Sequence, residues 1–146
     1  MYVNVSPPPC SLVFGLAGLF DSGAKKNQGN AGTSFPKDPG YRFYHDVAED
    51  EAQKWVNALV PHAAATTMAP ATAAACISTP STYILCAQDN AIPLALQKKM
   101  VARAREDGSN MESVLLNTSH SPWMVEPKAV VDVLKSAAQS QVAAVL

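Results

Sequence analysis

The sequence predicts an α/β protein, a partial parallel sheet with a helical segment ahead of it, on three observations. Residues 82–87 are apolar throughout except for Thr82, as expected of a strand covered on both faces. Residues 112–116 form a second strand-like run. Each run leads into a helix-prone stretch, and strands alternating with helices are the mark of a parallel sheet.

The elements follow in order. Tyr2-Val-Asn-Val5 is β-prone and Pro7-Pro8-Pro9 ends it; an apolar stretch over residues 12–20 contains Gly15 and Gly18. Residues 21–40 hold Gly, Asn, Lys, Ser and Pro without apolar periodicity, which predicts a long loop. Asp46 and Glu49 have the spacing of a capping box, and Ala52, Trp55, Val56, Leu59 and Val60 follow at helical intervals. Trp55 is expected in the core of that region. Pro61 closes the helix and can open the next, so residues 62–75, broken at Pro70, are expected as two short helical pieces with His62 on a helix surface. Pro93 opens a helix with Leu96, Met100 and Ala104 at a four-residue spacing, ending near Asp107-Gly108. Pro127 opens a terminal helix whose Val130, Val131, Leu134 and Ala138 form one apolar stripe. The parts are a remnant strand and loop over 1–40, a helical cap or lid over 41–79, and the sheet portion over 80–146. Two strands leave sheet edges that need a partner.

Composition narrows the function. The chain has 146 residues, 48% hydrophobic and 16% charged, with a formal charge of −1. It can bury one core, and it offers no basic field for nucleic acid. No apolar run approaches the roughly 18 residues of a membrane span. Cys10, Cys76 and Cys86 are odd in number and far apart, which reads as reduced, mostly buried thiols in a cytoplasmic protein. No histidine pair has metal-ligand spacing, so neither a metal nor a cofactor is expected.

Two residues carry candidate chemistry. Asp89 lies two residues past the first strand-like run and His120 four past the second. Loops at the carboxyl ends of parallel strands line the ligand crevice of an open α/β sheet. A carboxylate and an imidazole on neighbouring strand ends can form the acid and base of a catalytic triad, one ring nitrogen facing the acid and the other the nucleophile. Taken alone, Asp89 reads equally well as a cap for the helix near Pro93, and His120 as a loop residue. Strand, acid, helix, strand, histidine, helix is the order of an α/β-hydrolase.

Residues 43–61, Phe-Tyr-His-Asp-Val-Ala-Glu-Asp-Glu-Ala-Gln-Lys-Trp-Val-Asn-Ala-Leu-Val-Pro, resemble the cap of fungal and bacterial AB-hydrolase-1 proteins, which carry a phrase like F-Y-N-D-L-P-E-E-E-A, then W-V and L-V-P. Pro80-Ser-Thr-Tyr-Ile-Leu-Cys-Ala-Gln-Asp89-Asn-Ala-Ile-Pro93 looks like their acid strand, usually C-x-x-D-x-A-I-P, and His120-Ser-Pro-Trp-Met124 like their G-H-S-P-F histidine turn. Plant methylesterases and hydroxynitrile lyases are similar in the same regions. The resemblance covers residues 41 to 138 and implies that Asp89 is the triad acid and His120 its base. Ser119 stands where the family often has glycine, a change that bears on the aim of the histidine turn. Trp123 reads either as a pocket wall or as packing beneath the terminal helix.

The family's nucleophile sits on a G-x-S-x-G elbow, and that motif is absent from the sequence. Gly32-Thr-Ser34-Phe-Pro36 is the nearest imitation, and it reads as a turn serine. The expected protein is therefore a serine-esterase derivative for a small ester, truncated before its nucleophile and weak or inactive alone. Two alternatives stand beside it. One is a non-catalytic interaction module or half of a split hydrolase, pairing with a second copy or a complementary N-terminal half. The other is a lyase or cyclase use of the same pair.

Overall fold

A computed structural model describes residues 20–21, 32–63 and 74–143. The expected strand at residues 2–5 and nearly all of the apolar stretch over 12–20 lie outside them. Three short antiparallel strands come first: β1 (Phe20–Asp21), β2 (Thr33–Pro36) and β3 (His62–Ala63), in the order β1-β2-β3. Between β2 and β3 lie α1 (Pro39–Phe43) and α2 (Glu49–Ala58). A 3-10 turn (Ala75–Ile77) leads into β4 (Ser81–Cys86), α3 (Leu94–Glu106), β5 (Met111–Leu116), α4 (Pro122–Val125) and α5 (Pro127–Ala143).

β4 and β5 pair in parallel, from Ser81 opposite Met111 to Cys86 opposite Leu116. The ladder runs on past the strands, with Ala87 N–H donating to Leu116 O at 2.8 Å and Gln88 N–H to Thr118 O at 3.0 Å. α3 crosses between them and buries Gln97, Val101 and Ala104. It stops at a Schellman motif: Gly108 N–H donates to Arg105 O and Ser109 N–H to Ala104 O, with Gly108 at φ +95°. Glycine takes that backbone angle at little cost, so Gly108 fixes where the helix turns back into β5.

Several expectations give way to tertiary context. Residues 21–40 are not one loop, because Thr33–Pro36 pair with β1 and β3. His62 is in a strand opposite Ser34, not on a helix. Asp46 does not cap α2: the helix starts at Glu49 after Ala48 with no side-chain cap, and Glu49, Asp50 and Glu51 favour the positive end of its dipole. Trp55 is 47% exposed and donates its indole N–H to Glu51, so it is no core residue. On α3 the fully buried line is Gln97-Val101-Ala104, with Leu96 and Met100 half-buried beside it.

The predicted stripe of α5 faces outward at Val131 and Leu134, while Val130 and Val133 are half-buried. Trp123 is 58% exposed, so it is not buried beneath the terminal helix. β4 is fully covered only at Leu85 and Cys86, since β5 is its sole strand neighbour among the described residues. Cys76 is disulfide-bonded, whereas Cys86 is a free buried thiol. Distance in sequence does not prevent a bridge once the fold brings two Cβ atoms together. The reading of three reduced thiols therefore fails at Cys76. Among the described residues, no helix is long and apolar enough to cross a membrane.

Candidate active site

The in-register end of the β4–β5 pair decides where the candidate groups lie. With Cys86 opposite Leu116, the turns after both strands leave the sheet at the same edge. Asp89 is on the first turn and His120 on the second. His120 Nδ1 lies 2.8 Å from Asp89 Oδ2. An ionised carboxylate only accepts, so Nδ1 is the donor, and in the neutral imidazole Nε2 presents its lone pair.

The two side chains differ in exposure. Asp89 is 4% exposed in its side chain and His120 34%. The Asp89 carboxylate is fixed from several directions. Its Oδ1 accepts the backbone N–H groups of Ala91 at 2.7 Å and Ile92 at 2.8 Å, while Oδ2 takes His120 and, at 3.3 Å, the Gln97 amide. Asp89 thus caps its own turn and holds the imidazole at once. It is not the cap of α3, which begins after Pro93 without a side-chain cap.

Gln97 is a support that sequence reading missed. It is 1% exposed, and its Oε1 accepts Cys86 N–H at 2.9 Å. Its Nε2 donates to Cys86 O at 3.0 Å and Ile92 O at 2.6 Å. Ala87 bonds toward β5, so the groups of Cys86 point to the opposite edge of β4. There Gln97 takes the place of a neighbouring strand. A lone glutamine among helix-forming residues gives no local sign of that role.

The segment at residues 41–46 ties the two turns together. Asp46 Oδ2 accepts Ser119 N–H at 2.6 Å, and Ser119 Oγ donates to Phe43 O at 3.1 Å. The Phe43 ring stands 5.1 Å from the His120 ring, tilted by 36°. On the acid side, Asn90 Nδ2 donates to Tyr41 O at 3.2 Å and to His45 Nδ1 at 3.1 Å. Ser119, noted in the sequence only as a departure from glycine, is fully buried at this junction.

Burial raises the Cys86 thiol above its ordinary value, and a hydrogen bond with Thr118 partly offsets this. A cavity of about 240 Å³ lies between α1 and α2, lined by Tyr41, Tyr44, His45, Ala52 and Val56 among others. Neither Asp89 nor His120 lines it. Ser34 is 4% exposed within β2, so it is neither a turn serine nor a nucleophile on an elbow. Among the described residues, no group of three His, Cys, Asp or Glu side chains is placed to hold a metal.

A sequence profile described as the alpha/beta hydrolase family matches residues 3–133. The chain belongs to the alpha/beta hydrolase family. Its sheet and helices are a partial form of that fold. Among curated proteins it is similar to the alpha/beta hydrolase nvfD of Aspergillus novofumigatus, 32% identical over 95 residues. That alignment covers 64% of this chain and 37% of nvfD, so the chain spans well under half of this alpha/beta hydrolase relative.

Proposed function

We propose that the chain carries the acid–base side of a serine-hydrolase site for a small ester, with His120 as general base and Asp89 as the carboxylate that orients it. The supporting observation is the 2.8 Å approach of His120 Nδ1 to a buried Asp89, with Nε2 free of hydrogen-bond partners among the described residues. In a complete site, Nε2 takes the proton of a serine as it attacks the ester carbonyl and returns it to the leaving alcohol. Residues 80–146 would supply this half of the core and residues 41–79 its lid. The nucleophile and oxyanion donors would come from outside the described residues, and a complementary N-terminal half of the fold is the partner we propose. Family membership supports this chemistry, and fold alone does not fix the substrate.

Hydrolysis of p-nitrophenyl acetate by the 146-residue chain tests the reading. We expect a trace rate that falls in His120→Ala, because a positioned base alone contributes about 10²–10⁴-fold. No serine should be labelled by a fluorophosphonate probe. Equal rates with and without the imidazole would remove His120 as the base. Labelling of one serine, with turnover abolished in His120→Ala, would place a complete site within this chain. The competing reading is a lyase or cyclase use of the fold, with proton abstraction by the same pair. Cyanide release from a cyanohydrin without ester hydrolysis would favour it.

A further inference from the structure

We infer that Asp46 is a positioning residue for His120, and that it fixes the imidazole on Asp89 by gripping the backbone of the preceding residue. This rests on the reading of His120 as the general base. Ser119 N–H is the last backbone donor before His120, and a carboxylate from a segment far away in sequence holds it at 2.6 Å. Charge-assisted bonds of this kind are roughly twice as strong as neutral ones. Ser119 has a second anchor in the same segment, its Oγ donating to Phe43 O, and the Phe43 ring faces the imidazole.

Asp46 is itself exposed, while the group it holds belongs to a fully buried residue. It does no capping for α2 and has no salt bridge among the described residues, so Ser119 is its use in the fold. The acid turn is tied to the same segment through Asn90. Residues 41–46 therefore bridge the Asp89 and His120 turns, whose spacing the β4–β5 register sets. Any displacement of that segment is expected to pass into the acid–base pair.

The test is nitrogen and proton NMR of the His120 imidazole in the full chain, assigned by its disappearance in His120→Asn. The wild type should show a protected, downfield Nδ1 proton. Asp46→Asn, which keeps a neutral acceptor, should speed its exchange, and Asp46→Ala should lose the resonance. Ser109→Ala removes a 2.6 Å bond to Cys76 O on another part of the fold, and serves as a control for general loosening. It should leave the His120 signal unchanged. If Asp46→Ala does not fold, the wild-type and Asp46→Asn comparison decides alone. Identical exchange in those two proteins overturns the proposal, as does equal acceleration in Ser109→Ala. A wild-type chain with no Nδ1 proton would instead remove the Asp89–His120 reading, before Asp46 is tested.

Discussion

Asp46 accepts the Ser119 N–H at 2.6 Å across a separation of 73 residues. Its spacing to Glu49 suggests a local duty at the start of a helix, yet its carboxylate serves a turn from the other end of the fold. The candidate site is therefore held by three segments: the acid turn, the histidine turn and residues 41–46.

Asp89→Asn separates orientation from stability. The asparagine oxygen can still accept the Ala91 and Ile92 N–H groups, but its NH₂ would face His120 Nδ1 and push the imidazole proton to Nε2. We expect near-native stability with the wrong tautomer, read by imidazole NMR. Asp89→Ala should instead cost about 1–3 kcal/mol, because buried donors are left without partners. An asparagine variant that keeps the Nδ1 proton would contradict this.

Gln97→Leu keeps much of the volume and removes the amide that closes the edge of β4. The Cys86 N–H and C=O would then be buried without their acceptor and donor. A loss of at least about 1–3 kcal/mol is expected, read as a lower urea midpoint. An unchanged midpoint would mean that water replaces the amide at this edge.

Alkaline pH should weaken the fold through Cys86. Burial raises its folded thiol above the ordinary 9.0, and burial also raises the Tyr83 phenol above 10.0. A raised acid binds its proton more tightly folded than unfolded, so its stabilisation is complete below the unfolded value and is lost as pH rises through the folded one. Stability against urea should fall above pH 9, and the fall should be shallower in Cys86→Ala. A slope equal to that of the wild type would exclude the thiol as a contributor.

Association is expected as protein concentration rises. Leu115, Trp123 and Leu134 are 55%, 58% and 61% exposed, large apolar groups of the kind that mark contact surfaces when they adjoin. Sedimentation velocity should show oligomers, reduced in Leu134→Lys. A single monomeric boundary at the highest soluble concentration would refute this.

The parts legible in the sequence were those written locally. β4 came from a continuous apolar run and β5 from a shorter strand-like one, and Pro93 and Pro127 placed the starts of α3 and α5. Asp89 and His120 were visible because both follow those strands closely. Gln97 and Asp46 were not, since their partners are backbone groups brought close only by folding, and such bonds leave no periodic trace. The stripes misled for a related reason. Val131 and Leu134 have the spacing of a buried face, but periodicity describes one helix and not whether a neighbour is present to cover it.

The pairing of Cys86 with Leu116 also acts as a gauge for the chemistry. Each residue along a strand advances about 3.3 Å and reverses the side-chain direction. Slipping β5 by one step would carry the imidazole out of reach of its carboxylate and turn the whole strand over. A single deletion or insertion within β5 should therefore be as damaging as replacing His120. The part of the α3 crossover beyond Gln97, which returns the chain to the sheet, is freer to vary in length. Tolerance to changes in chain length should follow strand alignment more closely than distance from the reacting atoms.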